Sequence, residues 1–119
     1  MVKVSVQGSA LAFDVEGLDK ILAFRGHLEV PLRHVRDARA DPSAAREWRK
    51  LKLVGANVPG VVTAGTFLEH GRRVFWDVHD PEKAVVVGLS HERYDELVVQ
   101  VEDPDATVRL IAEALDRKR

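Results

Sequence analysis

Between residues 61 and 102 the chain alternates runs of strand-forming residues with short polar turns. The runs are "VVTAGTFLE", "RRVFWDV", "AVVVGL" and "ELVVQVE"; the turns are "HG", "HDPEK" and "SHERYD". Turn signals about 8 to 12 residues apart are the mark of a sandwich or barrel of short strands. Within "RRVFWDV", Val74, Trp76 and Val78 fall on one face and Phe75, Asp77 and His79 on the other. Asp80 before Pro81 is ordinary turn chemistry. Residues 72 to 89 are therefore predicted to form a central hairpin, with Trp76 buried beside Val74 and Val78.

The last segment changes period. In "DPDATVRLIAEALDRKR" Asp103 is a suitable N-cap, Pro104 fits the first helical position and Asp105 the first turn. Val108, Ile111, Ala112 and Leu115 form the predicted apolar face, and Arg117, Lys118 and Arg119 suit the C-terminal end of the dipole. A helix of this kind can cover the open end or edge of a partly open antiparallel barrel.

The N-terminal half carries weaker versions of the same signals. "VKVSVQ" and "ALAFDV" alternate apolar and polar residues around a "GS" turn and predict an antiparallel hairpin. "GLDKILAFRG" shifts to helical spacing and predicts a short helix near residues 17–24, stopped by Gly26. "HLEVPLRHV" returns to period two, with Leu28, Val30 and Leu32 inward and Pro31 at an edge or bulge; Val35, Ala38 and Ala40 mark a bend or change of phase. Pro42 can start a helical turn, and Gly55, Asn57, Pro59 and Gly60 read as loop.

With 119 residues, 45% of them hydrophobic and 31% charged, the chain is expected to be one ordinary domain, residues 1–119, around one core. It has no cysteine, which removes thiolate chemistry, Cys-ligated zinc, iron–sulfur clusters and disulfides. That composition fits a reducing cytoplasm, the expected location. Gln7, Gly8 and Ser9 interrupt any apolar run at the N-terminus, and about 18 consecutive apolar residues occur nowhere. A net charge of -1 argues against holding nucleic acid by bulk electrostatics. The charge is uneven: residues 25–52 carry 8 basic and 4 acidic groups, residues 53–119 carry 8 and 12.

In the order of these segments, and in "GLDKILAFRGHLEVPLRHV" at 17–35, "VPGVVTAGTF" at 58–67, "RRVFWDV" at 72–78, "PEKAVVVGL" at 81–89 and "YDELVVQVEDP" at 94–104, the chain resembles the bacterial PH-domain family of small pleckstrin-homology-like proteins. The resemblance implies a mainly β fold: a split barrel of about seven antiparallel strands in two near-orthogonal sheets, closed by the C-terminal helix. It implies a binding scaffold with no catalytic residues and no cofactor. Inositol-phosphate binding at the first hairpin is not implied here, because that turn reads "QGSA" and has no basic residue.

Individual residues add three candidate chemistries. Asp77, His79 and Asp80 are of metal-ligand type, but the strand and turn separate Asp80 from the other two, and a metal site is not expected. His91, Tyr94 and Asp95 match an acid–base site in residue type alone, without a framed nucleophile at Ser90; a small hydrolase is the most distant alternative, and Tyr94 is expected to be a partly buried ring with its hydroxyl at the rim. The basic segment "RHVRDARADPSAAREWRKLK" at 33–52 supplies Arg33, Arg36, Arg46, Trp48, Arg49 and Lys50 as candidate contacts to a partner or an anionic lipid surface. Solvated charges paired with Asp37, Asp41 and Glu47 are the simpler explanation of that segment. The expected function is a non-catalytic module for a protein or peptide partner, or for self-association along a sheet edge. Anionic-lipid binding through residues 33–52 is the alternative.

Overall fold

The computed structural model describes residues 2–15, 27–43, 64–69, 72–78 and 80–118. They form eight strands and a C-terminal helix: β1 (Val2–Gln7), β2 (Ala10–Val15), β3 (His27–Pro31), β4 (Val35–Ala40), β5 (Ala64–Glu69), β6 (Arg72–Asp77), β7 (Ala84–Leu89), β8 (Glu96–Gln100) and α1 (Pro104–Lys118). The expected short helix at 17–24 lies outside the described residues.

The first sheet is the antiparallel meander β1-β2-β3. A two-residue turn at Gly8 and Ser9 closes its first hairpin with Gln7 opposite Ala10. Gly8 takes a φ of 62° there, a value that favours glycine. The expected change of phase after Pro31 is a corner between sheets. Leu32–His34 form a 3-10 turn, and β4 then joins the second sheet with a shift of register between Val35 and Asp37.

The second sheet has the order β4-β7-β8-β6-β5. It corrects two expectations. The strands are not all antiparallel, because β6 and β8 pair in parallel, Val74 beside Glu96 through Asp77 beside Val99. Residues 72–89 are not a hairpin, because β8 lies between β6 and β7. The cause is the connection between them. Asp80 caps a 3-10 turn at Pro81–Lys83 by accepting from the Glu82 N–H at 3.1 Å, and this turn carries the chain across roughly two strand spacings, about 10 Å. The slot is filled by β8, tied at one end by the Gln100 side chain, which accepts from the Asp80 N–H at 2.8 Å. At the other end the Asp95 N–H donates to the Arg73 carbonyl at 2.7 Å and the Asp95 carboxylate accepts from the Arg73 N–H at 2.8 Å.

Insertion at the centre of the sheet explains the unbroken apolar runs. Every residue of β7 is buried, as are Leu97–Gln100 of β8. One face, with Phe75, Val85, Val87, Leu89, Leu97 and Val99, packs with Leu11, Phe13 and Val30 of the first sheet and with Ile111 and Ala114 of α1. The other face gathers Val74, Trp76, Val78, Ala84, Val86 and Val98 into a second cluster, with Trp76 only 1% exposed, as its alternation required.

In α1 the Asp103 side chain accepts from the Ala106 N–H at 3.1 Å, the expected N-cap. The helix packs against β1, β4, β7 and the Leu32–His34 turn. Its apolar face is corrected in one place: Ala112 is exposed, whereas Ala114 is buried. With Ile111 at the centre of the buried stripe, 114, 115, 107 and 108 fall within about 60° of it and 112 falls about 100° away.

Candidate functional site

Of the six residues singled out in the basic segment, Arg33 and Arg36 are described and both are exposed. Arg46, Trp48, Arg49 and Lys50 lie outside the described residues. Arg33 sits on the corner turn and makes no hydrogen bond or ion pair among the described residues. Arg36 sits in β4 beside the shift of register, and its Nε donates to the Leu89 carbonyl at 3.0 Å.

Arg36 does not join Arg33. It meets Arg39 of the same basic segment and Arg72, which sequence distance concealed, in a shallow groove of about 590 Å³ at the end of the second sheet. Arg39 of β4 and Arg72 of β6 complete the basic lining, with Ser90 and His91 at the rim. At Gly88, the β7 partner of Asp37, a Cβ would collide with Asp37 Oδ1, so the missing side chain is what lets β4 lay Asp37 and Arg36 across β7. Acidic groups are interleaved. Arg72 pairs with Glu96, Arg39 Nε lies 3.1 Å from Asp41 Oδ2, and Arg39 reaches Glu96 at 4.0 Å. Exposed pairs of this kind contribute about 0–1 kcal/mol each, and the groove presents both signs of charge.

The other candidate residues are dispersed. Asp77 is fully buried in β6, Asp80 is exposed and caps the turn, and His79 lies outside the described residues. Among the described residues no group of three His, Cys, Asp or Glu side chains could hold a metal ion. Tyr94 is more deeply buried than expected, 4% exposed, with its ring 5.7 Å edge-on from Phe75. Asp95 is committed to the backbone of Arg73. His91 is exposed at φ 58°, its ring 6.1 Å from that of His34, and His34 in turn pairs with Glu92. On the first sheet His27 bridges Asp14 at 2.6 Å and Glu29 at 3.1 Å. The hydrogen bond to Asp14, helped by the one to Glu29, raises its pKa above the usual 6.5.

A second groove, of about 550 Å³, lies where β1 faces the N-terminal half of α1. Val2, Val4, Ala106 and Leu110 supply its apolar wall, and Lys3, Glu102 and Asp103 its polar lip. β1 pairs only with β2 among the described residues and is an edge strand among them. In an antiparallel pair closed by a two-residue turn the bonding residues alternate. Lys3, Ser5 and Gln7 therefore bond towards β2, and the N–H and C=O groups of Val2, Val4 and Val6 face outward. Sequence reading found β1 and α1 separately but not their juxtaposition. The available signal was the clean alternation of "VKVSVQ", without Pro or an inward charge to blunt the edge.

Among the described residues no helix is long and apolar enough to cross a membrane. No family model matches the chain, and neither a curated protein nor a solved structure matches it.

Proposed function

We propose that this chain is a non-catalytic, pleckstrin-homology-like binding module that takes an extended segment of a protein or peptide partner as an added strand on β1. The observation that carries this reading is the outward edge of β1 beside the apolar wall of α1. Strand addition draws affinity from main-chain hydrogen bonds and specificity from pockets for alternate side chains. The β1 edge offers the first and the Val2, Val4, Ala106 and Leu110 wall the second. Two sheets around a shared core with a C-terminal helix against it support the split-barrel reading, while the parallel pairing of β6 with β8 departs from the two antiparallel sheets which the resemblance implies.

The test uses fluorescent hexapeptides that alternate Val, Ile or Leu with Thr, Ser or Lys, titrated by anisotropy. Val4→Pro removes an outward N–H and leaves the bonds of Lys3, Ser5 and Gln7 to β2 in place. At least one such peptide is expected to bind the wild type and to lose about tenfold or more in affinity, 1.4 kcal/mol, on the variant. Absence of binding by every alternating peptide, or equal binding to both proteins, overturns the reading.

A second reading rests on Arg33 and Arg36, two exposed cations with no ion pair among the described residues. On this reading the 33–52 segment meets anionic lipid. Co-sedimentation with phosphatidylserine vesicles, lost with neutral vesicles and reduced by Arg33→Glu with Arg36→Glu, supports it; equal and negligible pelleting with both vesicle types removes it.

A further inference from the structure

We infer that the strand received by β1 is the β1 of a second copy of this chain, paired antiparallel about a two-fold axis at Ser5. This rests on the strand-addition reading above and names its partner. The edge is self-complementary in three respects.

The first is geometry. Val4 and Val6 carry the outward backbone groups, so a register that sets Val4 opposite Val6 of the second copy lets each pair exchange both hydrogen bonds. Ser5 then faces its own counterpart as a non-hydrogen-bonded pair, with Cα atoms about 4.5 Å apart.

The second is the face pattern. Val2, Val4 and Val6 all point to the core side, where Val2 is buried and Val4 and Val6 are half-buried against the main cluster. Registers displaced by one residue would set a core-side valine opposite an outward polar residue. The chosen register continues the apolar face from one copy into the other, and the groove beside Ala106 and Leu110 leaves room for Val6 of the second copy opposite Val4.

The third is charge. Lys3 is the one charged residue of β1. With the axis at Lys3, two ammonium groups would face each other; with the axis at Val4 they would be diagonal neighbours about 7–8 Å apart. With the axis at Ser5, Lys3 lies opposite Gln7 of the second copy, and the two lysines are four residues apart along the strands, about 14 Å. That exceeds the screening length of about 8 Å at physiological salt. Repulsion therefore disfavours the axes at Lys3 and Val4, while an axis at Val6 would set Val4 opposite Gly8; the Ser5 axis keeps the lysines apart and both Val4–Val6 pairs bonded.

Since the chain has no cysteine, Ser5→Cys introduces its sole thiol. In a glutathione redox buffer Ser5→Cys is expected to form a disulfide-linked dimer at least about tenfold faster than Gln7→Cys, because the Ser5 pair lies within the ~4.4–6.8 Å Cα range of a disulfide and the Gln7 pair does not. By sedimentation velocity the wild type is expected at twice the monomer mass, and Ser5→Lys, with like charges across the axis and an unchanged far-UV spectrum, at the monomer mass. Equal cross-linking by the two cysteine variants overturns the inference, as does a dimer that survives Ser5→Lys. A wild-type monomer that still binds alternating peptides in a Val4→Pro-sensitive way overturns self-pairing and leaves strand addition standing. A monomer that binds none overturns both.

Discussion

Asp95 joins parts of the chain that the sequence keeps more than twenty residues apart. Its backbone N–H and its carboxylate both bond to Arg73, and its carbonyl accepts from the Leu89 N–H at 2.9 Å. One residue thereby sets the start of β6, the end of β7 and the entry to β8. Asp95→Ala keeps the backbone bonds and loses the carboxylate acceptor, and is expected to lower unfolding stability by about 1 kcal/mol in urea titrations. His27 acts on the other sheet. Protonated, it bridges Asp14 on β2 and Glu29 on its own strand, and both contacts raise its pKa. A raised folded-state pKa means stability that is fully present below the unfolded value of 6.5 and lost as pH rises through the folded value. The melting temperature of the wild type is therefore expected to exceed that of His27→Gln below pH 6.5, with the gap closing as pH rises above the folded pKa. A gap that widens with pH would contradict the bridge. Neither role is legible from residue type: Asp95 matches an acid–base group in type alone, and alternation with the inward Leu28 and Val30 says only that His27 faces away from them.

At the scale of elements, period and punctuation identified most strands and the C-terminal helix, but not who pairs with whom. "RRVFWDV" and "AVVVGL" flanking "HDPEK" match a hairpin locally. What breaks the hairpin is the width of the capped 3-10 turn and the availability of β8 to fill the gap, a contact with no local trace. The run "AVVVGL" did carry a signal: four successive apolar residues without alternation are what burial on both faces of a central strand requires. In α1 the same kind of error is one residue wide. Spacing from Val108 predicts Ala112 inward, whereas the stripe is centred on Ile111 and takes in Ala114. Ala112→Lys is expected to change stability by less than about 0.5 kcal/mol, and Ala114→Lys to cost about 2 kcal/mol or more by burying an unpaired charge, both read from chemical denaturation. The reverse order would restore the original face.

For the whole molecule, the two sheets and α1 put a shared apolar cluster at the centre and leave polar features at its margins. The basic segment, which composition made the first candidate, divides on folding. Arg33 stays on the corner, while Arg36 joins Arg39 and Arg72 in a groove where carboxylates answer the latter two and the Leu89 carbonyl takes up Arg36. The better candidate combines residues 2–6 with residues 101–110, a pairing that only the tertiary structure makes. Both the proposed strand addition and the proposed self-pairing require that the outward edge of β1 be open in the free chain. Amide hydrogen exchange, followed residue by residue by NMR on dilute protein, reads that edge directly. The expected result is alternation along β1: fast exchange at Val4 and Val6, slow exchange at Lys3, Ser5 and Gln7. Protection of Val4 and Val6 equal to that of Ser5 in the dilute monomer would contradict it, since the edge would then already be covered.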